Sequence, residues 1–544
     1  MAPEALPPAP VRVWPWRVLA VLLILAAAAA HLAYLASDCP LDLAPDEAHY
    51  WDWSRHLDWC YYSKGPLVAL LIRAGCALAG PWVPPASGGE VLAVRLPAVV
   101  CGSLLLASLY VLTAQVFRRE SLALAVVALA LTLPMTAAGS FLMTIDAPYT
   151  CCWGWALVLG HHAIRRGTAW AWPAAGLVVG LGGLAKYTMV LWLPSAALFL
   201  LTSSEHRRLF LRPGFWVMTA AAAVCCLPIV LWNARHGWVG LWHVNRLAGL
   251  DEGPAVRWQG PLVYVGVQCG LLLGYWFVAW AAAMWVYRPW AEPDAGLRYL
   301  WWMSAPMFAV FLLFSFKTGG GEPNWPVTAY VSGLVLAAGW LARQVRAPAA
   351  WYRRLAWTGL AAACLGGLAL TALVHRSDRV LPLLARLTGP PTAEHPLPLR
   401  RYDPTCRLRG WRTLAAEVDR LCAELRAAGG EPVVAGSSWA LPGELGFYCA
   451  GHPTVYSVGP ALGDRSSQYD LWRPNPVADA GTFAGRTFIV VGPFGDALDG
   501  AFERIEPPRL VTHREGGQPV ASWPVTVCRG FRGIRPVRGE RRQY

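Results

Sequence analysis

The sequence predicts a polytopic α-helical membrane protein with a C-terminal extracytoplasmic α/β domain. Three observations predict it. Of 544 residues, 56% are hydrophobic and only 15% charged, which is too little charge to coat a soluble body of this size. Apolar runs of roughly 17–25 residues recur, the length that spans a bilayer. The 30 tryptophans cluster towards the ends of those runs, where amphipathic rings favour the membrane interface.

The expected spans are 17–36, 91–117, 121–141, 147–164, 169–185, 187–203, 213–232, 261–287, 298–316, 326–344 and 353–374. That makes about eleven, in a range of about 11–13. The run that starts the chain follows Arg12 and Arg17 and is too long for a cleaved leader, so it reads as an uncleaved first helix. Arg118/Arg119, Arg165/Arg166, Arg207/Arg208/Arg212, Arg288, Arg343/Arg346 and Arg353/Arg354 fall in alternate loops. Basic loops stay in the cytoplasm, so the N-terminus is expected inside and everything after His375 outside. The net charge of +13 is thereby topological and implies no nucleic-acid partner. The expected place is a bacterial inner membrane, with the working face in the periplasm.

Loop 37–90, on the outer side, is long and carries two helical patches, Pro45–His56 and Pro66–Ala79. Proline suits the first turn of a helix, and the second patch is apolar but too short to span. Outer segments also cover 233–260 and the glycine-rich 317–325. Beyond residue 375 polar residues return. Trp411–Ala428 reads as an amphipathic helix, Pro432–Gly436 and Thr487–Val491 as short buried strands, and Gly443–Ala450 as a further helical turn or two. The division is therefore 1–375 in the membrane and 376–544 outside, the latter α/β because strand and helix alternate.

Ionisable groups beside a bilayer are costly, and their placement is informative. The chain has three lysines, Lys64, Lys186 and Lys317, all on the predicted outer side, against the usual bias. A bound anion explains them; snorkelling anchors at helix ends are the alternative, most evenly balanced for Lys186. Asp38, Asp42, Asp46, Glu47, Asp52 and Asp58 crowd loop 37–90. Asp46 and Glu47 either cap a helix N-terminus or supply a general base in an aromatic loop. Asp146, alone in an apolar hairpin, is a cap for the next helix or a functional acid. His243 and Arg246 share a face if their segment is helical, and Arg95 opens a span on the outer side, where a cation wants an anionic partner.

Fourteen cysteines show no zinc-like spacing, and several sit in apolar runs as small fillers. Cys39 and Cys60 share the first outer loop, as a disulfide or as two free thiols. No phosphate-binding glycine loop or zinc-protease motif occurs, and the inward loops are too short to hold a nucleotide-sugar domain. No cofactor is called for by the sequence; a divalent metal is left open.

The segment Pro45-Asp46-Glu47-Ala48-His49-Tyr50-Trp51-Asp52-Trp53-Ser54, with Tyr61-Tyr62-Ser63-Lys64-Gly65-Pro66, resembles the first external loop of glycosyltransferase family 39. That family holds the dolichyl-phosphate-mannose protein mannosyltransferases and the aminoarabinose–lipid A transferases, of the C-type membrane fold. The likeness extends through Arg95-Leu96-Pro97, Thr144-Ile145-Asp146-Ala147-Pro148, Gly183-Leu184-Ala185-Lys186-Tyr187, Trp232-Asn233, His243-Val244-Asn245-Arg246 and Pro323-Asn324-Trp325-Pro326. In the tail, Gly463-Asp464-Arg465-Ser466-Ser467-Gln468-Tyr469-Asp470-Leu471-Trp472 is similar to the extracytoplasmic domain of bacterial members.

The resemblance implies inverting transfer from a polyprenyl-phosphate sugar to a lipid, glycan or protein hydroxyl. It makes Asp46 the general base with Glu47 its neighbour, gives Lys64, Arg95 and Arg246 to the donor phosphate, and has Asp146 orient a hydroxyl or support the base. Tyr62, His243 and Lys317 join the expected substrate contacts. Ser63 departs from the aminoarabinose transferases, which carry a metal-binding acid there beside a histidine; that weakens a metal at His243. Two rivals compete: a transporter or flippase, which needs charges at mid-bilayer depth and broken helices, and a membrane-anchored binding protein worked by its tail.

Overall fold

The computed structural model describes residues 14–37, 39–80, 89–250, 253, 256–392 and 394–534. Asp38 and Arg12, named above, lie outside the described residues, as do parts of the first and second outer segments. The chain is helical from α1 (Trp14–Ala36) to α19 (Leu381–Thr388). Around the first outer loop stand α2 (Pro45–Arg55), α3 (Leu67–Ala79) and α4 (Gly89–Phe117). There follow α5 (Glu120–Leu131), α6 (Pro134–Gly139), α7 (Asp146–Arg166), α8 (Ala171–Ala185), α9 (Trp192–Thr202), α10 (Arg207–Phe210), α11 (Pro213–Arg235) and α12 (Val239–Leu247). The last set is α13 (Gly260–Leu271), α14 (Tyr275–Val286), α15 (Ala295–Trp302), α16 (Ala305–Thr318), α17 (Ala329–Gln344) and α18 (Ala350–His375).

Among the described residues, α1, α4, α11, α15 with α16, and α18 are long and apolar enough to cross a membrane. The expected span 261–287 is not straight. The α13 and α14 axes meet at 113°, where Leu273 and Gly274 take positive φ of 54° and 65°. The expected span 121–141 likewise divides into α5 and α6, because Pro134 cannot continue the hydrogen-bond ladder and instead starts a new helix. Apolar helices that bury almost nothing, such as α18 with Gly367 alone, form the lipid-facing rim; α4 and α17 bury most of their length and form the centre. In hydrocarbon every backbone group must find a partner within the chain, which is why this part is helix throughout.

The C-terminal part contains α20 (Trp411–Ala427), α21 (Leu441–Tyr448) and six strands: β1 (Val433–Gly436), β2 (Tyr456–Ser457), β3 (Phe488–Val491), β4 (Phe502–Ile505), β5 (Arg509–Glu515) and β6 (Gln518–Phe531). The sheet order is β2-β1-β3-β6-β4, with β5 also paired to β6. β1 and its neighbours β2 and β3 are parallel, and β6 pairs antiparallel with β3, β4 and β5. Val434, Ile489 and Val491 face a core shared with α20 and α21, while Val433, Phe488 and Val490 face a second core with Phe502 and Phe531. A strand covered on both faces reads as an unbroken apolar run, which made β1 and β3 legible. The antiparallel β4–β6 are not among the predicted strands; half-exposed β5 gives only a weak apolar signal.

Candidate active site

Helix α2 is polar in composition, yet Glu47 to Ser54 are all buried. Burying a charged segment requires partners, and Arg95 of α4 supplies them. Its guanidinium holds Glu47 through Nε to Oε1 at 3.0 Å and Nη2 to Oε2 at 2.8 Å, both side chains fully buried. It also donates to the carbonyls of Leu41 (3.2 Å) and Asp42 (2.7 Å). Glu47 in turn accepts the N–H groups of Ala44 (2.9 Å) and Met143 (2.7 Å). One buried node thus fixes the loop entry, α2, α4 and the approach to α7. This corrects two expectations. The Arg95 guanidinium is taken up inside the protein and is not presented to a phosphate. Glu47 is a positioning carboxylate in the first turn of α2, fully buried there.

Asp46, one residue earlier, opens outwards. The Tyr50 hydroxyl donates to its Oδ1 at 3.4 Å. Crowding protein desolvates the carboxyl and raises it above the ordinary carboxylate range; Arg465, Lys64 and the Tyr50 hydroxyl oppose that rise, and Asp146 adds to it.

Asp146 begins α7, where the helix dipole favours an anion. Its side chain does not cap that helix. Oδ1 accepts from Lys186 Nζ at 2.8 Å and Oδ2 from Asn324 Nδ2 at 2.5 Å. Lys186, at the end of α8, also faces the Tyr149 ring at 5.3 Å. Lys64 completes the group. Burial, with Lys186 as the nearest like charge, lowers its ammonium to about 8, while Asp46 and Asp146 work the other way. The lysine loop reaches this spot because Gly65 lies against Leu184: a Cβ there would stand 2.2 Å from the Leu184 carbonyl oxygen.

Tyr62 turns its ring to His243 at 5.3 Å between centroids, and its N–H donates to Gln468 Oε1 at 2.7 Å. The expected helix around 243–246 is α12, so His243 and Arg246 do share a face. Burial, then the charges of Lys64, Arg465 and Arg246, pushes His243 down to about 3, which leaves it neutral. Lys317 stands apart from this group: its Nζ donates to the Gly253 carbonyl, and it makes no contact with Asp46, Asp146 or Lys64 among the described residues. Cys39 and Cys60 are both free thiols; Cys60 Sγ donates to the Lys64 carbonyl at 3.3 Å.

Asn324 and Arg465 lie at this site without being among the expected site residues, and Lys186, expected as either anchor or ligand, pairs with Asp146. Asp46 and Lys64 share one loop, while Asp146, Lys186, Asn324 and Arg465 come from four further, distant segments, so no local spacing joins the set.

The fold of the chain is similar to that of a solved structure, ArnT from Cupriavidus metallidurans in the apo state. The TM-score is 0.57 over 94% of this chain and 98% of that one, at 18% identity. The chain has the C-type membrane glycosyltransferase fold. The same ArnT bound to undecaprenyl phosphate matches with a TM-score of 0.58, 18% identity and the same coverage. Residues 63–232 match the family model described as dolichyl-phosphate-mannose-protein mannosyltransferase. The lipid A galacturonosyltransferase RgtD of Rhizobium johnstonii is 30% identical over 306 residues, 55% of this chain; the match spans 60% of that relative's length. Together these support the resemblance to glycosyltransferase family 39. In this fold the loop 37–90, the start of α7 and the end of α8 carry the carboxylates and lysines of the candidate site.

Proposed function

We propose that this multi-pass membrane protein is an inverting glycosyltransferase. It would move a sugar from a polyprenyl-phosphate-linked donor to an acceptor hydroxyl at the outer face of a bacterial cytoplasmic membrane. The observation that carries the reading is an outward-opening carboxylate, Asp46, influenced by Lys64 and by the Asp146–Lys186 pair. Asp46 takes the proton of the acceptor hydroxyl as its oxygen attacks the anomeric carbon. The bond from that carbon to the phosphate oxygen breaks, and the electron pair leaves with the lipid phosphate. Lys64 and Arg246 stabilise the departing anion in place of a general acid. Asp146, fixed by Lys186 and Asn324, orients a substrate hydroxyl. Tyr62 and His243 form the wall beside Lys64.

An ArnT structure with bound undecaprenyl phosphate supports the donor class, and a relative named for lipid A supports a lipid acceptor. In this reading residues 1–375 are the transferase domain and 376–544 a periplasmic domain, with the N-terminus in the cytoplasm.

The test is transfer by full-length protein in proteoliposomes, with radiolabelled polyprenyl-phosphate sugars and lipid acceptors. Asp46→Asn, at wild-type thermal stability, should lose at least about a hundredfold in transfer, the typical contribution of a general base. Retained transfer would refute the assignment of the base.

A further inference from the structure

The C-terminal part does not hang free of the membrane part. Gly443 of α21 lies so close to α2 that a Cβ would stand 2.8 Å from the Ala48 carbonyl carbon and the His49 nitrogen. The Tyr448 hydroxyl accepts the Leu43 N–H at 2.7 Å, and Arg55 Nη2 donates to the His452 carbonyl at 2.9 Å. From this docked surface the segment 463–470 reaches over the outer loop. Gln468 accepts the Tyr62 N–H, and the Tyr469 ring meets His49 edge-on at 4.9 Å.

Arg465 lies on that segment. Its guanidinium stacks over the Trp439 ring at 3.7 Å. Trp439 meets His49 edge-on at 5.8 Å, and its N–H is held by Asp464 Oδ2 at 2.8 Å. Asp470 accepts the Ser467 N–H at 2.5 Å, which closes the turn behind. Asp464 and Asp470 accept backbone N–H groups that shape this segment, and the Arg465 guanidinium is held over an aromatic face. Its field is felt at Asp46, Lys64, His49, Tyr62 and His243, groups from the first outer loop and α12. A planar guanidinium oriented by stacking suits a bidentate oxyanion better than a mobile lysine does.

We propose that Arg465 is a substrate-contacting cation, delivered by the C-terminal domain, that binds an oxyanion of the donor; the inference rests on the transferase reading above. The oxyanion has two sources on such a donor: the lipid phosphodiester, or a carboxylate on the transferred sugar. The C-terminal domain is then part of the active site and helps select the donor.

Binding separates these sources without requiring turnover. Full-length wild type, Arg465→Met and Arg465→Lys would be titrated with bare polyprenyl phosphate, a hexosyl-phosphate polyprenol and its uronosyl counterpart. Arg465→Met should weaken the uronosyl donor by about tenfold or more, the scale of a lost charge-assisted hydrogen bond, and Arg465→Lys should restore part of it. Equal weakening of all three probes assigns the phosphate; weakening confined to the uronosyl donor assigns the sugar carboxylate. Unchanged binding of every probe by an Arg465→Met protein that melts like wild type overturns the proposal. So does a loss that Arg465→Lys fails to restore at all. Wild type that binds donors tightly yet never transfers refutes the transferase reading alone and leaves the Arg465 contact standing.

Discussion

At the scale of single residues, adjacent or chemically similar side chains receive opposite roles from their surroundings. Asp46 and Glu47 are neighbours in sequence. One is exposed and the other is locked into Arg95, because successive positions on a helix point about 100° apart and only one of them can face α4. Lys64 is the residue whose charge is most at risk. With its ammonium lowered to about 8, it is cationic below that pH and progressively neutral above it. Donor affinity should therefore fall as pH rises from 7 to 9. Lys64→Arg, whose guanidinium stays charged throughout, should flatten that fall. Donor KM measured across this range checks both; a wild-type KM that does not move with pH would remove Lys64 from phosphate binding. The raised Asp46 carboxyl places the acid limb of transfer above the ordinary carboxylate range, and activity should be lost as pH falls through it.

At the scale of elements, the buried Glu47–Arg95 pair does for α2 what an apolar face does for an ordinary helix. Removing one partner leaves an uncompensated buried charge, so Arg95→Met should destabilise the protein by about 3–5 kcal/mol. Glu47→Leu introduced with Arg95→Met should recover part of that loss, since no lone charge then remains buried. Thermal unfolding in detergent measures both. If the single Arg95 variant melts like wild type, the node is not what fixes the loop. Gly65 acts at the same scale. Gly65→Ala must push the lysine loop away from Leu184, because the clash is with backbone that cannot rotate aside. Donor KM should rise more than acceptor KM, and equal changes in both would speak against Lys64 acting on the donor.

At the scale of the whole molecule, the C-terminal part is docked onto α2 by backbone contact and buried polar bonds. Asp42 accepts from Arg412 Nε at 3.1 Å and from the Trp411 N–H at 3.0 Å. Glu444, wholly buried in this contact, has both carboxyl oxygens without a hydrogen-bond partner and is held well above the usual range by burial and by Asp42 and Glu47. Burial therefore favours the neutral form of this carboxyl while the two parts are docked. Once undocked the carboxyl ionises in the ordinary carboxylate range, so docking weakens as pH rises from that range towards the raised value. Glu444→Gln should keep the contact and remove that loss with rising pH, read as protease sensitivity between the two parts. Gly443→Val should separate α21 from α2 and reduce transfer while the membrane helices stay folded.

The sequence determined the membrane class, most helix positions and the first outer loop, because each rests on local facts: apolar run length, proline placement and a helix period. It likewise marked Asp46, Lys64 and Asp146, since charge beside hydrocarbon is conspicuous wherever it occurs. Tertiary structure alone decided which cation each acid meets. Arg95 reads as a free cation at a span end until Glu47 is seen against it, 48 positions away in the chain. Lys186 is marked as a lysine at a span end, but its pairing is not, and Asn324 and Arg465 stand out less still, because the neighbours of all three come from loops brought together only when the helices pack. The 113° bend between α13 and α14 escaped for the same reason: hydropathy registers how apolar a run is, and the direction of the chain at Leu273 and Gly274 is set by their backbone angles and packing.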